Sequence, residues 1–220
     1  MTTLFTNARL IDPEAGTDAP GAGRVQNGRI AAIEKNAGDP DRLLRAHNIR
    51  PEDAVRQDCG GKCLAPGIVD IGVKVCEPGE RHKESYKSAG LAAAAGGVTT
   101  IVTRPDTTPA IDSPETLEFV TRRAQADTPV NVLPMAALTK GRAGREMTEI
   151  GFLMDAGAVA FSDCDHVTGN TKVFQRALTY ARSCGALVIA HPQEPVLSAG
   201  AAATSGNFAA LYGLPAVSPM

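Results

Sequence analysis

The chain has 220 residues, 43% of them hydrophobic, and a formal net charge of −2. That is enough for one or two cored domains, carries no basic excess for nucleic acid, and includes no apolar run near the ~20 residues needed to cross a bilayer. Its five cysteines (Cys59, Cys63, Cys76, Cys164 and Cys184) are odd in number and scattered, which suits free thiols in a reducing compartment better than a disulfide framework. Asn7 and Arg9 interrupt any secretory signal core, so a cytoplasmic protein is expected.

Residues 1–65 hold short alternating stretches (LFTNARLI, RVQNGRIAAIE, CGGKCLAP) broken by Gly, Pro and Asp, the pattern of small antiparallel strands and turns. Within them residues 37–57 are polar and charged and read as a surface excursion in which His47 is solvated. Cys59 and Cys63 form a C-x3-C pair with no second Cys or His pair nearby, weak grounds for a structural zinc.

From residue 66 the texture changes. Five short apolar runs rich in β-branched residues, IVDIGVKV, VTTIVT, PVNVLPMAAL, AVAFS and ALVIA, read as buried strands. Between them YKSAGLAAAAGG, SPETLEFVTRRAQ, EMTEIGFLMDAG and NTKVFQRALTYARSCG read as helices closed by a C′ glycine, with Ser113 as an N-cap before Pro114. Strict alternation implies an α/β fold with a parallel sheet, either doubly wound or part of a (β/α)8 barrel. In both, ligands gather at the C-terminal ends of the strands.

That rule selects Lys74, Cys76 and Glu77; Arg104 and Asp106; Thr139 and Lys140; Asp163, Cys164, Asp165 and His166; and His191 and Glu194. Each has a plainer reading beside the functional one. His191 suits a satisfied polar cap to its strand, SDCD at 162–165 a turn or helix cap, and Lys140 a solvated loop residue.

The stretches APGIVDIGVKVCEPGERHKES, AAAAGGVTTIVTRPDTTPAIDSPETLEFV, ALTKGRAGREMTEIGFLMDAGAVAFSD and ALVIAHPQE resemble the dihydroorotase branch of the cyclic amidohydrolases across most of residues 60–219. The resemblance implies a (β/α)8 TIM-type barrel of the metal-dependent hydrolase kind over residues 66–220. Residues 1–65 would be half of a composite, urease-like β-sandwich. It also implies three further strands, another histidine ligand and a catalytic aspartate, so the chain is expected to be a fragment truncated after about five strands, with an open sheet edge.

The same resemblance places a metal-binding His-x-His on the first barrel strand, where this chain has Gly72-Val73-Lys74. Period-2 spacing would put both positions in the barrel mouth, but glycine has no ligand and a lysine ammonium has no lone pair. Cys76 stands where an arginine would hold the substrate carboxylate, and Asp106 where an asparagine is expected; a thiol cannot form the bidentate fork to a carboxylate, and an anionic Asp106 would repel it. The family's acidic ligand falls on Cys164, with Asp163 and Asp165 one residue to either side, and His191 is retained as a ligand.

The resemblance therefore implies zinc as the family cofactor and a chain that binds none. It would be a non-catalytic relative of enzymes that hydrolyse the cyclic amide of dihydroorotate in pyrimidine biosynthesis, acting as a structural partner of aspartate transcarbamoylase in a homo- or hetero-oligomer. Two alternatives stand beside it. One is a zinc-dependent amidohydrolase with a rebuilt site of Cys164, His191 and Asp70 or Asp163; the other is a binding barrel in which Lys74 and Arg104 hold a small anion. Gly72, Lys74, Asp163, Cys164 and His191 are expected in one cavity, with Lys74 paired to Asp163, Asp165 or Asp106 in place of the metal.

Overall fold

In the computed structural model, which describes residues 1–218, the chain divides into two units, Met1–Gly67 and Ile68–Met220. The first is built on the hairpin of β1 (Thr2–Asp12) and β2 (Thr17–Gln26), paired antiparallel from Thr2 opposite Gln26 to Asp12 opposite Thr17. β3 (Arg29–Lys35) continues antiparallel on β2. β4 (Ala54–Asp58) and β5 (Cys63–Leu64) then pair parallel to β1, so the sheet is mixed where the sequence suggested antiparallel strands.

A parallel return needs a crossover, and residues 37–57 supply it. Most of them are exposed, as their polarity suggested, but the segment also carries two buried leucines. Helix α1 (Arg42–Arg45) buries Leu43 and Leu44 against Leu4 and Ala22, and β4 completes the sheet. Two adjacent leucines in a charged stretch are a faint signal, too short for helical periodicity to register. His47 is exposed, as read.

The second unit begins with three parallel strands in chain order, β6 (Ile68–Val73), β7 (Val98–Thr103) and β8 (Asn131–Pro134). The ladder goes on through parallel bridges from Ala136 to Phe161 and from Phe161 to Val188. The fourth and fifth expected strands are thus held by single bridges, backed by bonds from Ser162 N to Ala136 O and from Phe161 N to Leu187 O (both 2.9 Å). Each strand position pairs with the next in sequence, with no reversal of order.

Helices α2 (Tyr86–Ala95), α3 (Pro114–Asp127), α4 (Ile150–Asp155) and α5 (Thr171–Cys184) separate the strands. Their starts follow local chemistry. Ser113 Oγ accepts from Thr116 N with Pro114 at the first helical position, and Asn170 Oδ1 accepts from Lys172 N and Val173 N. α5 ends on Gly185 at φ 70°, left-handed as a C′ glycine requires, whereas α3 ends on extended Thr128. Between helices and strands lies a core of Val75, Tyr86, Leu117, Val120, Ile150, Leu153 and Phe161. This core holds the helices while the other side of the strand ends stays free for the site.

Candidate functional site at the strand ends

The site starts with a break in the first strand. Ile71 faces Val102 and Val73 faces Thr103, so β6 spends two residues where β7 spends one, and Gly72 is the extra residue at φ 100°. This is a β-bulge, and it resets the alternation. Val73 and Val75 pack toward the helix-side core, and Lys74 between them turns the other way to meet Asp106 (Nζ to Oδ2, 3.1 Å). Simple period-2 counting from Gly72 to Lys74 therefore does not apply across the bulge.

Asp106 is the centre of the site. Its side chain is 4% exposed, and the same Oδ2 that meets Lys74 also accepts from Arg104 Nη2 at 3.0 Å. Arg104 Nη2 bonds Asp165 Oδ2 as well, at 2.8 Å. The result is a line of four charges, Lys74, Asp106, Arg104 and Asp165, running from the end of β6 across β7 to the loop after the fourth strand position. Burial works against the Arg104 charge, but Asp165 and Asp106 outweigh it and hold the guanidinium above its ordinary pKa. Arg104, with His191 and Lys74 adding smaller effects, holds the Asp165 carboxyl below its usual range.

A cavity of about 320 Å³ opens beside this line, bordered by Gly72, Arg104, Met135, Cys164, Asp165 and His191 among others. Three positions of the expected ligand set, Gly72, Cys164 and His191, thus share one cavity. Burial, and then Asp106, push the Cys164 thiol above its ordinary pKa. His191 is exposed and its Nε2 lies 2.9 Å from Gln193 Oε1.

Asp163 is drawn into a different job. Its Oδ1 accepts from Leu138 N (3.1 Å) and Thr139 N (2.9 Å), and its Oδ2 from Thr139 Oγ1 (2.6 Å) and Thr168 Oγ1 (3.3 Å). Four donors use up the carboxylate, and it borders a neighbouring pocket with His166 and His191 rather than the Gly72 cavity. Asp70 is exposed within β6. Cys76 lies past the strand end and is half-buried, its carbonyl accepting from Glu80 N.

Other strand-end residues also turn out to be structural. Glu77 is buried and holds Arg123 Nε (3.0 Å) and the first amide of α2 at Tyr86 (3.2 Å). Lys140 pairs with Glu146 at the surface, and His166 Nδ1 lies 3.0 Å from Arg142 O. Arg142 was missed from sequence: its Nε reaches Asp163 O, and it favours the Cys164 thiolate slightly. An arginine in a glycine-bearing loop gives no advance signal of this.

Zinc does not fit what is here. Lys74 brings a positive charge to a position where the resemblance implies a ligand, Asp106 meets two cations at Oδ2, and Asp163 is taken up by hydrogen bonds. Among the described residues no three His, Cys, Asp or Glu side chains converge as a ligand set.

A family model described as dihydro-orotase-like matches residues 61–218. A dihydroorotase of Syntrophus aciditrophicus is 36% identical over 217 residues, covering 99% of this chain and 49% of that protein. One of Bacillus cytotoxicus is 38% identical over 214 residues, 97% of this chain and 47% of that protein. The chain spans about half the length of the curated relatives it matches. Among solved structures, an L-hydantoinase (dihydropyrimidinase) from Arthrobacter aurescens superposes with a TM-score of 0.71 at 21% identity, over 90% of this chain and 42% of that one. At that identity the likeness is one of fold.

Proposed function

The chain belongs to the dihydroorotase-like family of the amidohydrolase superfamily, and from that premise we propose that it is a non-catalytic member serving pyrimidine biosynthesis as a structural partner of aspartate transcarbamoylase. On this reading the parallel ladder is an arc of a (β/α)8 barrel and the first unit is part of a β-sandwich, in a cytoplasmic oligomer. The unreversed strand order supports the barrel arc.

One observation carries the loss of catalysis. Where the family's first metal-binding pair is expected, Gly72 sits in a bulge and Lys74 is committed to Asp106. Metal-activated hydroxide is the family's nucleophile, and this strand end offers it no ligand. The anion-binding alternative is weakened by the same contacts, since Lys74 and Arg104 are already neutralised by Asp106 and Asp165.

The test is direct. Purified protein supplied with zinc is expected to show no turnover of dihydroorotate and far less than one zinc per chain, and to co-elute with aspartate transcarbamoylase. Turnover together with about one tightly held zinc, lost on Cys164→Ser or His191→Ala, establishes the rebuilt site instead. Separate elution of the two proteins at micromolar concentration removes the partner role.

A further inference from the structure

We infer that the line Lys74–Asp106–Arg104–Asp165 is a metal-independent brace, which ties the ends of β6 and β7 to the loop after the fourth strand position in the place where a dication would otherwise do so. The inference rests on the reading that this strand end holds no metal, and it adds what holds the strand ends together instead.

The need for a brace follows from Asp106. A carboxylate 4% exposed is costly without a counterion, and its Oδ1 is buried with no hydrogen-bond partner, so compensation falls wholly on Oδ2. Two cations converge there from different elements, Lys74 from beyond β6 and Arg104 from the end of β7. Arg104 then hands the line on to Asp165, 61 residues later in sequence. A divalent ion among carboxylates would serve the same electrostatic purpose. Arg104 does so through hydrogen bonds and half-exposed Lys74 through an ion pair, with no metal.

The backbone is adapted to the same end. With φ at 100°, Gly72 occupies a conformation in which an L side chain is strained, although a Cβ there would meet nothing within 4 Å. The bulge is what sends Val73 to the core and Lys74 to Asp106. Histidine at position 72 would meet the wrong backbone. The ligand pair has thus been replaced as a unit, one residue by a backbone shift and the other by a cation.

A double-mutant cycle tests this on the whole chain in excess EDTA. Lys74→Met and Asp106→Asn are each expected to lower Tm by roughly 3–8 °C. The double variant should lose little more than one of them, a coupling of about tenfold in the unfolding equilibrium. Lys74→Arg should retain most of the stability. Locally, hydrogen exchange at the Arg104 amide, which donates to Val73 O across the strand ends, should quicken in Lys74→Met and not in Lys74→Arg. If Asp106→Asn fails to fold, these two Lys74 variants carry the test. Additive losses, or equal exchange at Arg104 in the two Lys74 variants, overturn the brace. So does a fall in wild-type Tm on chelation with release of zinc. Turnover and partner binding do not enter these readouts, so failure of the functional reading and failure of the brace are separable.

Discussion

At the scale of single residues, two buried polar groups govern how this chain responds to change. Asp163 lies 4% exposed and accepts four hydrogen bonds that tie the strand-end turn at Leu138–Thr139 to Thr168. Asp163→Ala leaves two buried amides without an acceptor, and the expected loss is about 2–4 kcal/mol in urea unfolding. Tyr86 is fully buried, and burial pushes its phenol well above the ordinary value, with Thr103 offsetting only part. An acid whose folded pKa is raised adds stability below its unfolded pKa and loses it above. Stability should therefore fall as pH rises past about 10. In a spectrophotometric titration at 295 nm, Tyr86 should ionise only as the chain unfolds, and Tyr86→Phe should remove that late component. Neither role was legible in advance. The two amides that donate to Asp163 lie 24 and 25 residues away, and no local pattern announces them.

At the scale of elements, legibility divides between local and non-local signals. The N-cap at Ser113 and the C′ glycine at Gly185 were readable because each acts within one turn of chain. Helix α1 and the bulge at Gly72 were not, because each depends on a partner strand. α1 is only four residues long and stands on the burial of Leu43 and Leu44 against β1 and β2. Leu44→Ala is expected to cost about 2–5 kcal/mol, far more than loss of an isolated turn of helix would, and thermal unfolding of the variant measures it. At the bulge, Gly72→Ala should destabilise through backbone strain even though open space surrounds it, and a neutral result would mean that β6 relaxes to a regular strand.

At the scale of the whole molecule, the parallel ladder leaves an edge. Among the described residues β6 has a strand partner on one side only, and Ile68, Val69 and Ile71 are each more than half exposed. Up to the bulge at Gly72, an aliphatic edge with a single acidic residue, Asp70, is weakly guarded against pairing with other chains. A chain of these 220 residues is expected to self-associate as concentration rises, with Val69→Lys reducing the light scattering while leaving the far-ultraviolet circular dichroism unchanged. Equal scattering from the two proteins would place the sticky surface elsewhere.

The sequence by itself determined the alternation of strand and helix, the change of texture near residue 66, and the absence of imidazoles at positions 72 and 74. Residue type and short-range periodicity are enough for these. Only the tertiary structure decided that Lys74 meets Asp106 rather than Asp163, that Asp163 serves backbone amides, and that Leu43 and Leu44 belong to a core. The physical reason is the same each time. Which of several nearby carboxylates receives a cation depends on strand register and on which acceptors are already filled, and both are set by contacts between residues far apart in the chain.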